Sequence, residues 1–159
     1  MRLRPTRYLV SSARSRSRVH TILEKMTEKA KPSTKAIGDL GEDLAAEYLE
    51  AKGYRILDRN YRFSREEIDL VCFEPYEDYT KGGELVFVEV KTRRSDAFGR
   101  PEESVDRLKQ EAIFRTAEAY LHERKLEGSA CRFDVIAITI GKGVAPEIEH
   151  FDNAFGHFG

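Results

Sequence analysis

The sequence predicts an α/β fold in which a mixed central sheet is flanked by helices. Two long segments carry apolar residues at the helical period, and shorter ones are rich in Val, Ile, Leu and Phe. Their order along the body of the chain is α β β β α β β. Two of the strand segments are apolar on both faces, which marks strands covered from two sides. A chain of 159 residues is long enough for one domain with a proper core and needs no disulfide or zinc staple.

The first helix spans Lys35–Lys52, with Ile37, Leu40, Leu44, Ala45, Tyr48 and Leu49 on one stripe. Gly53 suits the left-handed residue that ends it. Tyr54–Phe63 carries Ile56 and Leu57 among basic residues and predicts a half-exposed strand. A turn at Ser64–Glu66 leads to strands at Glu67–Glu74 and Glu84–Lys91. Pro101 precedes a long helix over about Glu102–Leu126, its apolar face made by Val105, Leu108, Ala112, Ile113, Ala117, Tyr120 and Leu121, and Gly128 closes it. Arg132–Ile140 is a buried strand, Gly141–Gly143 a turn, and Glu147–Phe151 a short final strand.

Residues 1–35 stand apart from this domain of residues 36–159. The first 23 contain six arginines, no lysine and no acid. So little of this segment can be buried that disorder is expected. An organelle transit peptide, a basic arm for phosphates and an upstream extension ahead of a start at Met26 all fit it.

From Ala36 onward 17 Lys and Arg face 26 Asp and Glu, a net of −9. An acidic body argues against coating nucleic acid through bulk charge, so a polyanion has to be met by a local basic patch or a metal. No apolar run approaches the ~20 residues of a membrane-spanning helix. Cys72 and Cys131 lie far apart inside apolar runs and suit small buried hydrophobes of a reducing, cytoplasmic compartment.

The informative residues are charges on apolar strands. In Glu84–Lys91, Val86, Val88 and Val90 point one way and Leu85, Phe87, Glu89 and Lys91 the other. In Glu67–Glu74, Ile68, Leu70 and Cys72 share one face and Glu67, Asp69, Val71 and Phe73 the other. Glu74 and Glu84 are equidistant from position 79, and so are Asp69 and Glu89. An antiparallel hairpin around Pro75–Gly83 therefore makes Asp69 and Glu89 cross-strand neighbours, with Cβ atoms about 4.5–5.5 Å apart.

Two adjacent carboxylates repel unless one keeps its proton or a cation lies between them. Mg²⁺ favours one or two carboxylates, waters and a substrate phosphate. Lys91 on the same face can then orient or deprotonate water, or stabilise charge on phosphorus. A plain ion pair of Lys91 with either acid satisfies the same spacing.

Other candidates are weaker alone. Glu42 follows two glycines in GDLGED, where close helix packing or ligand approach would explain the small residues. Glu67 shares the Asp69 face. Lys109 and Gln110 on the long helix suit a surface. His20, His122, His150 and His157 show no metal-ligand spacing, and no Ser–His–Asp constellation or P-loop is evident. For phosphate contacts the richest stretch is Lys52–Arg65, where Lys52, Arg55, Arg59, Arg62 and Arg65 oppose Asp58 alone and Tyr54, Tyr61 and Phe63 offer stacking faces. Arg93 and Arg94 follow Lys91. Charge that guards an edge strand against aggregation explains the same pattern.

Together the stretches GDLGEDLAAEYLEAKGYRILDRNYR, EIDLV, LVFVEVKTRR, FGRPEESVD, RFDVIAI and IEHFDNAF resemble the YraN-like family of small bacterial predicted endonucleases, in family order from Gly38 to Phe155. The resemblance implies a restriction-endonuclease-like αβββαβ core of the PD-(D/E)XK type, related to Holliday junction resolvases. It implies Mg²⁺ or Mn²⁺ as cofactor. Asp69, Glu89 and Glu42 would be metal-binding acids, Lys91 would complete the catalytic set, and Gln110 or Lys109 would take the supporting helix position. DNA is the implied partner, and the related resolvases suggest a homodimer. Glu66 stands where the family usually has Gly, and the arginine-rich start has no family counterpart, which favours Met26 as the beginning. The expectation is thus a metal-dependent endonuclease on DNA, with branched or structured DNA among its targets. The alternatives are a nucleic-acid-binding accessory module of the same fold without turnover and a protein-interaction domain.

Overall fold

The computed structural model describes residues 6–9, 33–94, 105–141 and 144–156. In chain order these form β1 (Thr6–Leu9), α1 (Thr34–Ala51), β2 (Arg55–Phe63), β3 (Glu66–Pro75), β4 (Gly83–Arg94), α2 (Arg107–Glu123), β5 (Cys131–Ile140) and β6 (Glu147–Phe151), with a 3₁₀ turn at Tyr79–Lys81. The six strands make one mixed sheet in the order β1-β6-β5-β4-β3-β2. β4 and β5 are parallel and joined through α2, while the other pairs are antiparallel. This is the helix-flanked mixed sheet of a restriction-endonuclease-like fold. None of the described helices is long and apolar enough to cross a membrane.

Local chemistry accounts for the helix ends. Ser33 caps α1 through its hydroxyl, which accepts the Ala36 N–H at 3.1 Å. Gly53 at φ 93 closes the same helix as the sequence predicts, with the Gly53 and Tyr54 N–H groups donating to Glu50 and Leu49 carbonyls. Asp106 caps α2 by accepting the Lys109 N–H at 2.8 Å. At the other end of α2 the left-handed residue is Lys125 (φ 56), and Leu126 donates to the Leu121 carbonyl. Gly128 lies three residues further on, in the following turn.

The two helices cover opposite faces of the sheet. Leu40, Leu44, Ala45 and Leu49 of α1 pack on Leu70, Cys72, Val86, Val88, Ile136 and Ile138. Ile113, Ala117 and Tyr120 of α2 pack on Ile68, Val71, Phe87 and Phe133, with Phe155 beside them. β4 therefore divides its side chains as its alternation predicts. β3 departs from its alternation: Ile68 belongs to the α2 side and Leu70 to the α1 side. The irregularity falls at Asp69, between them.

Two further expectations are corrected. The first 35 residues were expected to be disordered, yet Thr6–Leu9 pair with Glu147–His150 as an edge strand, with Arg7 3.0 Å from Glu149. Met26 lies outside the described residues. The long helix begins at Arg107, so Leu108 falls in its first turn, 78% exposed, and is absent from the apolar face. Pro101 and residues 102–104 lie outside the described residues, as do 142 and 143 in the turn before β6.

Candidate functional site

The register of the β3–β4 hairpin fixes the site. Glu74 faces Glu84, Cys72 faces Val86 and Leu70 faces Val88, all centred on position 79 as the sequence predicts. The ladder stops there. Beyond Leu70 the rest of β3 pairs with β2, through Ile68–Tyr61, Glu67–Arg62 and Glu66–Phe63, while β4 continues along β5 to Arg94–Ile140. Asp69 and Glu89, expected as cross-strand partners, lie one residue beyond the last ladder pair and are not paired, because the two strands diverge there. In place of a ladder carbonyl, Asp69 Oδ2 accepts the Val90 N–H at 2.6 Å.

Across the fork lies α1. A Cβ on Gly41 would lie 1.7 Å from Thr92 Oγ1, so only glycine lets α1 approach β4 this closely. Close packing thus explains Gly41, whereas no described residue lies within 4 Å of a Cβ placed on Gly38. Glu42, the next residue, accepts a 3.0 Å hydrogen bond from Asn60 Nδ2. Asn60 has a left-handed backbone (φ 52) and breaks the β2–β3 pairing opposite Asp69. Asn tolerates that conformation better than most residues, and Asn60 is a site residue that the sequence reading missed.

The electrostatics match this crowding. Burial, with Glu89 and then Glu42 adding, pushes Asp69 up to about 7, against the opposing effects of the Val90 N–H and Lys109. Burial also raises Glu89, opposed by Lys109 and Lys91 and assisted by Glu67. Glu89 is 11% exposed, and among the described residues its buried Oε2 has no well-aligned hydrogen bond. The Lys109 ammonium lies 3.3 Å from that oxygen as an ion pair. Lys91 is half-buried on β4 next to Ala137 of β5. Gln110 is directed elsewhere, its Nε2 donating to the Val105 carbonyl at 2.7 Å.

A buried carboxylate oxygen of Glu89 near the half-buried Asp69 carboxylate makes a pair of hard oxygen donors of the kind that Mg²⁺ or Mn²⁺ favours. Glu42, bonded to Asn60, does not join them in a three-ligand cluster among the described residues. Glu66, the residue at the family's glycine position, has its carboxylate 4.0 Å from Arg115 of α2.

A second group lies between β5 and β6. Asp134, His150 and Asp152 place three potential ligand atoms within 4.8 Å of one another, a cluster able to hold a metal. The sequence reading saw no metal-ligand spacing around His150, because strand pairing and not local spacing brings these residues together. Their partners are numerous. His150 Nε2 is 2.9 Å from Asp134 and 3.0 Å from Asp152, while Nδ1 is 3.3 Å from both the Tyr48 hydroxyl and the Lys52 ammonium. Asp134 also accepts from Arg132 and from the Asn153 N–H at 2.8 Å. Burial alone would push Asp134 up, but His150 and Arg132 outweigh it and hold it below its ordinary value. A metal here would have to displace a proton or a guanidinium that is already well placed. The signal for Asp134 was in the sequence, since it is an acid in the apolar run RFDVIAI just as Asp69 is in EIDLV.

The basic residues spread along and around the sheet edge. Arg59 pairs with Asp43 at 2.7 Å and Arg62 with Glu67 at 2.9 Å. Arg55 stacks on Phe73, 4.8 Å from the ring centre. Arg93 donates to Thr139 Oγ1 at 3.3 Å, and Arg94 is half-buried at the end of β4.

Residues 41–138 match the model of the uncharacterised protein family UPF0102. The chain belongs to this family. It is 46% identical over 120 residues to a UPF0102 protein of Trichlorobacter lovleyi, an alignment covering 76% of this chain and 90% of that protein. A Chlorobaculum parvum UPF0102 protein is 48% identical over 124 residues, covering 75% of this chain and 91% of the relative. The UPF0102 protein GSU0650 of Geobacter sulfurreducens is 48% identical over 121 residues, with 76% and 89% covered. The UPF0102 match agrees with the resemblance to YraN-like proteins. Asp69, Glu89, Lys91, Asp134 and the Gly41–Glu42 pair all lie within the matched residues.

Proposed function

We propose that this chain is a metal-dependent phosphodiesterase acting on DNA, with branched or otherwise structured DNA as its target. The observation that carries this reading is the buried Glu89 Oε2, without a well-aligned hydrogen bond among the described residues, near Asp69 where β3 and β4 diverge. Acids left in this condition are destabilising unless a cation completes them. Asp69 and Glu89 would hold one or two Mg²⁺ or Mn²⁺ ions, with Glu42 supporting them. The ion, when bound, lowers the pKa of water and acts as a Lewis acid toward a phosphate.

The protein's own groups do the rest. The Val90 N–H fixes one Asp69 oxygen and so orients the other. Asn60 holds Glu42 toward the fork. Lys91, on the Glu89 face of a strand paired on one side with β5, orients the attacking water and stabilises charge developing on the phosphate. Arg93 and Arg94 extend positive charge along β4 beyond Lys91. Arg59 and Arg62 are already paired with acids, so their contact with phosphate requires exchange of partners.

The test compares wild type with Lys91→Ala on labelled linear, flapped and four-way DNA, with Mg²⁺ or Mn²⁺ and with EDTA. Metal-dependent products that disappear in the variant support the reading. Products unaffected by the variant place the chemistry elsewhere, and binding without cleavage would favour the accessory module.

A further inference from the structure

We infer that Lys109 is a resident cation of the carboxylate site: it holds Glu89 while no divalent ion is bound, yields that place when one enters, and is then free to meet the substrate phosphate. This rests on the phosphodiesterase reading and adds to it a role for a helix residue outside the strand-borne acids and Lys91.

The position of Lys109 is unfavourable for an ordinary surface lysine. It is the third residue of α2 after the Asp106 cap, and a positive charge in the first turn opposes the helix macrodipole. What compensates is Glu89 beneath it. The contact is long: the ammonium lies 3.3 Å from Oε2, and among the described residues that oxygen has no well-aligned hydrogen bond. The neighbouring pairs of the hairpin differ, since Arg62 donates to Glu67 at 2.9 Å and Arg132 to Glu84 at 3.0 Å with hydrogen-bond geometry.

Lys109 is also built to leave. Its side chain is 34% exposed against 11% for Glu89, so the ammonium has solvent to move into while the carboxylate has little. A lysine is a point charge on a flexible four-carbon stem and can re-aim where an arginine fork would be fixed. Its backbone stays put, because the Asp106 carboxylate holds the Lys109 N–H and Gln110 Nε2 holds the Val105 carbonyl. Lys91, by contrast, sits on a strand bonded to β5. The site thus has one cation on a fixed strand and one on a movable tether.

A divalent ion competing with Lys109 for Glu89 binds more tightly once the lysine is removed. The test is calorimetric titration of Mn²⁺ into the full chain as wild type, Lys109→Met, Lys109→Arg and Asp69→Asn, with thermal denaturation in EDTA and in Mn²⁺. Lys109→Met is expected to lower the Kd for Mn²⁺ by about three- to tenfold, from loss of a partly buried competing charge. Its Mn²⁺-induced rise in Tm should exceed that of wild type, whereas Lys109→Arg, which keeps the charge on a fixed fork, should bind Mn²⁺ no more tightly than wild type. Should Lys109→Met fail to fold, Lys109→Gln carries the same expectation. Unchanged or weaker Mn²⁺ binding in the neutral variants, with wild-type binding abolished by Asp69→Asn, overturns the role of Lys109 alone. Wild-type binding that is absent or indifferent to Asp69→Asn overturns the metal site and this inference with it.

Discussion

The β3–β4 hairpin brings two pairs of acids together about one centre and treats them differently. At the loop end Glu74 faces Glu84, and the Arg132 guanidinium lies between them, donating to both while it also serves Tyr54 and Asp134. At the other end Asp69 and Glu89 lie just past the last ladder pair, and among the described residues the Val90 N–H bonds Asp69 while Lys109 stands 3.3 Å from Glu89. The first pair opens into a network reaching His150, whose polar groups are matched one to another. The second leaves a buried oxygen without a well-aligned hydrogen bond among the described residues. Completed charge supports the fold, whereas incomplete charge in the same two strands costs stability and marks a site for a ligand.

Predictions follow the contrast from its largest effect. Glu89→Gln and Lys91→Ala should each lower metal-dependent DNA cleavage by at least ~10²-fold, while Asp152→Asn at the exposed edge of the histidine cluster leaves it within a few-fold; rates on four-way DNA decide. Stability should respond in the opposite pattern. Arg132→Met leaves Asp134, Glu74 and Glu84 short of a cation and should destabilise by about 3–5 kcal/mol in urea unfolding. Asp69→Asn, in EDTA at pH 8, should instead stabilise by about 1–3 kcal/mol, since it removes a carboxylate that is costly to ionise.

The pH dependence carries the same sign. Asp69 is raised to about 7 in the fold, so between the ordinary carboxylate range and about 7 the native state holds the extra proton. Metal-free stability through this group is then full at low pH and falls as pH rises through that window. Asp134 is held low, so its contribution is present above the ordinary value and is lost as the solution becomes acid. Melting in EDTA from pH 4 to pH 8 should show the falling component in wild type and lose it in Asp69→Asn. The smallest effect concerns the basic strand: Arg55→Ala should reduce the salt slope of DNA binding by about 1, as for one phosphate contact.

Much of this was legible in the sequence, and the reasons are local. Alternation in LVFVEVK assigned both faces of β4, and equal distances from position 79 gave the hairpin register. Alternation failed at Ile68 because Asp69 leaves the ladder to bond the Val90 N–H, an event that residue polarity does not encode. Leu108 was misplaced because a cap at Asp106 sets the phase of α2. Lys109 looked like surface until the parallel crossover laid α2 over Glu89. The Asp134–His150 cluster depends on pairing between β5 and β6, so spacing along the chain could not reveal the histidine, although the buried acid in RFDVIAI carried the same signal as Asp69.

The Asp134–His150–Asp152 cluster could hold a metal, and Asp69 with Glu89 are the ligands we propose; one measurement separates them: the Mn²⁺-induced shift in Tm for wild type, Asp69→Asn and Asp152→Asn. The incomplete site at the fork requires that the shift vanish in Asp69→Asn and persist in Asp152→Asn. A shift that survives Asp69→Asn but disappears in Asp152→Asn would place the metal at the histidine cluster and contradict the reading of Asp69 and Glu89 as its ligands.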